Sequence, residues 1–131
     1  MTLNLEILVP DGVVLSTTVR GVRAADRSGL FGLWPNHEDF ATLLVPCVLS
    51  YRDEDNHEHY AAVDGGVLVL QKGQVCIGTR EAVLADLIEE VADAATAMLA
   101  ARREEEHAAR AEFAELQTAL LRELPKAERR T

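Results

Sequence analysis

Apolar residues in the first 78 positions recur with a period of about two. Leu3, Leu5, Ile7 and Val9 alternate with Asn4, Glu6 and Leu8, and Pro10-Asp11-Gly12 follows as a turn. Such alternation sends every second side chain to one face of a strand. Short β-branched bursts continue at Val14, Val19 and Val22, at Val48, Leu49 and Tyr51, and at Val63, Val67, Val69, Val75 and Ile77. Asp64-Gly65-Gly66 and Gln71-Lys72-Gly73-Gln74 punctuate the last group as turns. Short strands with glycine turns predict an antiparallel β-sandwich or barrel.

Past Gly78 the pattern changes. Glycine does not recur, and no proline appears before Pro125. Leu84, Ile88, Val91, Ala95 and Met98 share one helical face, and Asp86 with Glu89 three residues on has the spacing of a capping box. A second stripe comprises Phe113, Leu116, Leu120 and Leu124. Between the stripes, Arg102 to His107 is polar on every face, yet steps of three and four residues keep the stripes in phase. Two antiparallel helices and one unbroken helix with a polar waist both satisfy this pattern. The expected division is a β-rich domain at 1–84 and a helical domain at 85–131.

Composition narrows the functional classes. Of 131 residues, 48 % are hydrophobic, enough for a packed core, and 22 acids against 13 bases give a net charge of −9. That balance argues against nucleic acid or an anionic bilayer as partner, since both are gripped by basic surface. The longest near-apolar run, Phe40 to Leu49, is about half a membrane span. The N-terminal residues lack a basic start and a continuous apolar core, so no secretory leader or direct membrane insertion is expected. Cys47 and Cys76 stand apart with no ligand spacing, which predicts two free thiols in a reducing compartment.

Candidate chemistry is sparse. Asp53-Glu54-Asp55-Asn56-His57-Glu58-His59 mixes carboxylates with a His-x-His pair, a set that suits a transition metal. The same composition describes a solvated hairpin tip, and that reading is preferred because no further ligand is placed elsewhere. Glu89, Glu90 and Asp93 read as a solvated helix face. Neither a nucleophile elbow nor a Walker-type phosphate loop is present. Catalytic residues, cofactors and metals are therefore all expected to be none. Gly29 to His37, "GLFGLWPNH", is too broken for a core strand and too apolar for a free loop. Aromatics beside glycines suit a protein–protein anchor.

The order of these pieces resembles the epsilon subunit of F-type ATP synthases over nearly the whole chain. The family carries an opening strand like Leu3 to Val9. It then has a Gly-x-x-Gly-apolar-aromatic-Pro-x-His segment, matched by Gly29, Gly32, Leu33, Trp34, Pro35 and His37. A Gly-Gly followed by a β-rich run, a last strand and an Ala/Glu/Arg-rich helical tail complete it, here from Gly65-Gly66 onward. The resemblance implies a sandwich of about ten strands followed by a two-helix segment, as hairpin or extended helix. It implies a non-catalytic central-stalk subunit, peripheral on the cytoplasmic face of the bacterial inner membrane, that couples the gamma subunit to the c-subunit ring. Ser28, Gly29, Leu30 and Phe31 are then expected to contact the c ring, and Val9, His37, Glu38 and Thr42 to contact gamma. In the family the tail either lies folded against the sandwich or extends between the catalytic alpha and beta subunits, where it restrains hydrolysis. Arg102, Arg103, Arg110, Arg122 and Lys126 are the bases available for that contact.

Two departures alter the expectation. Some bacterial relatives bind ATP through an apolar-Asp-x-x-Arg-Ala motif, where this chain has Ile88-Glu89-Glu90-Val91-Ala92-Asp93. Without the arginine, phosphate recognition loses its charge-assisted bonds, so no ATP binding of that kind is expected. Leu30-Phe31 makes the first glycine motif more apolar, which is similar to the alternate F-type ATPases of some bacteria. The competing reading is a free-standing adaptor, a β-sandwich dimerised by its helices.

Overall fold

In the computed structural model the backbone is described for residues 1–129, and side chains to Ala119 except Phe113. Eight strands precede one helix. They are β1 (Leu3–Val9), β2 (Gly12–Val19), β3 (Gly21–Asp26), β4 (Gly29–Leu33), β5 (Phe40–Arg52), β6 (Glu58–Gln71), β7 (Gln74–Gly78) and β8 (Ala82–Ala85), followed by α1 (Ile88–Arg129). The strands hydrogen-bond in the order β2-β1-β7-β6-β5-β3-β4, with β8 added to β6. A β-sandwich followed by helix was expected, and that architecture is present.

Two long strands make one continuous sheet serve as two layers. The second half of β6 pairs with β7, whereas its first half pairs with β8. Between them the β5–β6 register passes from Leu44↔Gly66 to Pro46↔Asp64, stepping over Val45 and Gly65. Gly65 and Gly66 have φ of +73° and +127°, so the chain bends here without ending the strand. Asp64-Gly65-Gly66 is thus a corner inside β6 and not a turn between strands. The same corner explains the strand count: cutting β5 and β6 there would turn eight strands into ten.

The corner also reverses which side chains face inward. On β6, Ala61 and Val63 lie in the core before the bend, and Leu68 and Leu70 lie in it afterwards. Leu49 and Tyr51 of β5 are likewise inward, but on the other side of the bend Leu44 is. Val67 and Val69, which strict alternation assigns to the core, are consequently exposed. Leu3, Leu5 and Ile7 of β1 complete the core with Val75 and Ile77 of β7. A tight turn joins β6 to β7, the two-residue Lys72-Gly73 loop with φ of +49° and +77°.

Helix α1 begins at Ile88 and is a single element, so the polar waist at 102–107 does not break it. Leu84 belongs to β8 and not to the helical face. The Asp86 carboxylate bonds His59 and does not act as the first half of a capping box. Val91 and Met98 are buried against Ala62, with Val48, Tyr60, Val83 and Ala85 around them. Ala61, Ala62 and Val63 therefore face the core and α1 in alternation. Compact packing unites Met1–Leu99, and Ala100–Thr131 forms a second unit. Among the described residues no helix is long and apolar enough to cross a membrane.

Candidate functional site

The tip joining β3 to β4 is built to hold an apolar residue in water. Asp26 and Gly29 are the last paired positions, with Gly29 at φ +120°. One Asp26 oxygen accepts bonds from the backbone N–H of Ser28, at 2.8 Å, and from the Ser28 hydroxyl. The other oxygen accepts the Thr42 hydroxyl of β5 at 2.7 Å. These bonds, with Ser28 first and Thr42 second, hold the Asp26 carboxyl below its ordinary pKa. On this fixed tip Leu30 is 88 % exposed, while Phe31 turns inward and meets Phe40 edge-on at 5.5 Å. Ser28, Gly29 and Leu30 are therefore presented outward, and Phe31 supports them from beneath.

The rest of "GLFGLWPNH" folds around its tryptophan. A Cβ on Gly21 would lie 2.5 Å from the Trp34 ring, and one on Gly32 would lie 3.2 Å from it. The indole thus rests on two glycines of adjoining strands, with the Arg23 guanidinium 5.7 Å from the ring centroid. Gly32 serves this packing and not a turn. The turn comes next: Pro35 and Asn36, with Asn36 at φ +68°, occupy the two central positions, and the His37 N–H donates to the Trp34 carbonyl at 3.1 Å. His37 itself is exposed, with its ring 6.0 Å from that of Phe40 and Nδ1 2.7 Å from the Glu38 carbonyl.

A second apolar surface lies on the outer face of the first layer. Register aligns Leu43 of β5, Val67 of β6, Gly78 of β7, Leu8 of β1 and Val13 of β2 in one row across five strands. Leu43 is 70 % exposed, Val13 56 % and Val67 47 %. The adjacent outward row adds Ala41, Val69 and Cys76 before ending in Glu6 and Ser16. Val91 and Met98, from the first turns of α1, pack on the opposite layer. Sequence reasoning did not single out Leu43, and it placed Val67 and Val69 in a strand without saying which face they take. The glycine pair at 65–66 was the available signal, because a corner there resets the alternation.

The four residues expected at gamma do not form one patch. Val9 ends β1 beside Gly12, at the Leu43–Val67 end of the layer. His37 and Glu38 are exposed in the loop just before Phe40, the start of β5. Thr42 points inward, in register with Leu68 and Ile77, and is engaged with Asp26. In the helix Arg103 and Arg110 are exposed, and Arg102 is half-buried with Glu106 at 4.0 Å. The Arg122 and Lys126 side chains lie outside the described residues.

The remaining titratable clusters lie at the β5–β6 hairpin tip and at the corner of β6. Asp53, Asp55 and His57 converge on the β5–β6 hairpin tip within 4.8 Å, as solvated loop carboxylates and imidazoles commonly do. His59, which a metal set of the His-x-His kind would need, has both ring nitrogens turned to carboxylates. Arg80 donates through Nε and Nη2 to one Asp64 oxygen, at 3.1 and 2.7 Å, bracing the corner. Cys47 and Cys76 are free and half-buried. Burial raises both thiol pKa values, and Glu6 adds to the rise at Cys76, which keeps both in the unreactive protonated form.

The described residues thus form a two-layer sandwich with an apolar outer face, a braced apolar tip and, on its other layer, the start of a helix. Residues 2–85 match the family model described as ATP synthase, Delta/Epsilon chain, beta-sandwich domain, and the chain belongs to that family. It is 40 % identical over 87 residues to ATP synthase epsilon chain 2 of Paraburkholderia xenovorans, covering 65 % of this chain and 63 % of that one. It is 42 % identical over 93 residues to ATP synthase epsilon chain of Anaeromyxobacter sp. strain Fw109-5, covering 71 % and 65 %. These matches span a little under two thirds of the length of either relative. A chain in the cryo-EM structure of Euglena gracilis mitochondrial ATP synthase, OSCP/F1/c-ring, superposes with a TM-score of 0.62 at 26 % identity, covering 71 % and 61 %. A chain of the Tetrahymena thermophila central stalk/c-ring shares the fold, at a TM-score of 0.54 and 12 % identity over 63 % and 66 %.

Proposed function

We propose that this chain is the epsilon subunit of an F-type ATP synthase, seated between the gamma subunit and the c ring on the cytoplasmic face of the bacterial inner membrane. The observation that carries this reading is the bare row Leu43–Val67–Leu8–Val13. An apolar face of that extent suits a partner that covers it. In this reading the row, with Val9 at its edge, receives gamma, and His37 and Glu38 extend the contact. Thr42 contributes indirectly by fixing Asp26 and the tip. Ser28, Gly29 and Leu30 then meet the c ring, and residues 1–84 do the docking. The names of the relatives support it, as does the apolar Leu30-Phe31 pair for a complex of the alternate type.

Residues 85–131 form the regulatory part in this account. Arg102, Arg103 and Arg110, with Arg122 and Lys126 beyond, meet acidic surface on the catalytic subunits and restrain hydrolysis. Nucleotide plays no direct part, because Ile88 to Asp93 lacks the arginine of the ATP-binding relatives. Titration of the chain with magnesium-ATP by calorimetry is expected to give no heat of binding up to millimolar nucleotide. A saturable isotherm would overturn that element.

The two surfaces are separable by mutation. Leu43→Glu with Val67→Glu is expected to weaken gamma binding at least about tenfold, since two charges must then be desolvated at an apolar interface. Leu30→Glu should leave gamma binding unchanged and lower retention of the c ring. Equal loss of both partners in both variants would contradict this assignment.

A further inference from the structure

The β5–β6 hairpin places one imidazole between two carboxylates from different parts of the chain. His59 of β6 stands opposite Tyr51 of β5, and the rings stack at 5.3 Å. The neighbouring pair, Arg52 and Glu58, takes the opposite face by strand alternation and forms its own ion pair at 3.8 Å. His59 Nε2 is 2.7 Å from Oδ2 of Asp53, in the hairpin loop. Its Nδ1 is 2.6 Å from Oδ1 of Asp86, in the linker between β8 and α1. A neutral imidazole has one N–H and satisfies one carboxylate, leaving a nitrogen lone pair against an oxygen. The imidazolium has an N–H on both nitrogens and satisfies both.

We propose that protonated His59 is a pH-sensitive latch tying the root of α1 to the tip of the β5–β6 hairpin. Asp86 stands two residues before Ile88, so the position of its carboxylate constrains where the helix starts. The apolar seat of the helix is on the same strand: Ala62, under Val91 and Met98, is three residues along β6 from His59. Latch and seat therefore act on one short stretch of α1. The Asp86 side chain is 82 % exposed against 29 % for Asp53, so water competes most for the Asp86 limb, and that limb opens first.

The groups facing His59 fix the direction of the response. They are Asp53 and, behind it, His57 from the loop, Asp86 from the linker and Tyr51 from β5. His57 reaches the same Asp53 oxygen at 3.9 Å and donates its backbone N–H to the other at 2.9 Å. Asp53 first and Asp86 second raise the His59 pKa above that of a free histidine. The His59 bond in turn holds Asp53 below the ordinary carboxylate value, and burial raises Tyr51, which stays neutral throughout. A raised histidine pKa contributes fully below the unfolded value and is lost as pH rises through the folded one. A lowered carboxylate contributes above its unfolded value and is lost as pH falls through the folded one. The latch is closed between those limits and opens on the alkaline side. It requires nothing of the partners assigned above and holds for the free chain.

The test is an imidazole NMR titration of the full chain from about pH 5.5 to 9, with amide-exchange protection of Ile88 to Val91 corrected for intrinsic rate. His59 is expected to titrate above a free histidine, and protection at these amides to fall several-fold across its transition. Asp86→Asn should lower the His59 titration point and remove the step, and His59→Gln should remove the step at every pH, with the sandwich amides unchanged in both. A His59 that titrates at or below the free-histidine value would overturn the proposal. So would a protection step that persists in Asp86→Asn.

Discussion

Gly66 shows how much of this fold rests on a single missing methyl group. A Cβ there would stand 2.0 Å from the Gly78 carbonyl oxygen, at a φ of +127° that side chains rarely adopt. Gly12 has a similar φ of +136°, but nothing lies within 4 Å of its missing Cβ. The pair separates backbone strain from collision. Gly12→Ala is expected to cost about 1 kcal/mol, from conformation alone. Gly66→Ala should cost about 3 kcal/mol or more, because the corner of β6 must also move away from β7. Urea denaturation of both variants measures the difference, and equal costs would mean that the corner yields freely. Trp34 makes a related point at a second place. "GLFGLW" reads as two turn glycines and an aromatic, yet only Gly29 turns the chain, while Gly32 and Gly21 make a floor for the indole. Gly21 lies 13 residues before Trp34, so no local pattern joins them.

At the scale of elements, much was legible because the periods differ so plainly. Strict alternation at Leu3, Leu5 and Ile7 did place those residues in the core, and the loss of glycine after Gly78 did mark the change to helix. Alternation misled where the chain bent. Val67 and Val69 continue the period set by Val63, but the corner at Gly65-Gly66 shifts the inward phase to Leu68 and Leu70. Both faces of this stretch are apolar, so the residue types alone do not say which face is inward. Leu84 was assigned to a helix by its spacing from Ile88, whereas pairing with Ala61 makes it part of β8. Tertiary pairing outweighed local spacing there. The helix itself is seated chiefly by Val91 and Met98. Val91→Ala with Met98→Ala removes about 4 kcal/mol of packing in sum, more than so short a contact can lose. The expected result is full exchange of the Ile88 to Leu99 amides while the β1 and β7 amides remain protected. Loss of protection throughout would show that helix and sandwich melt together.

Within the second unit the account requires one unbroken helix. Spin labels at positions 101 and 118 should then lie about 26 Å apart, at 1.5 Å per residue over 17 residues. A distance near half that value would indicate a hairpin.

Over the whole molecule, charge and apolar surface are divided between separate tasks. A net charge of −9 keeps the free chain from indiscriminate contact with nucleic acid or anionic lipid. Among the described residues, exposed apolar side chains stand on the Leu43–Val67 face and at the Leu30 tip, as well as at Leu87, Ile88 and Leu116 of the helical region. Family membership was legible in motif order, from Gly29 to His37 and on to the helical tail. The Leu43–Val67 face was not, because its residues come from five strands and meet only through register. The central claim is that this face receives the gamma subunit. Its most direct test is the affinity of the purified chain for purified gamma from the same cell, measured by calorimetry beside Leu43→Glu/Val67→Glu. Saturable one-to-one binding that weakens at least about tenfold in the variant is the predicted result. No binding by the native chain, or equal affinity for both, would contradict it.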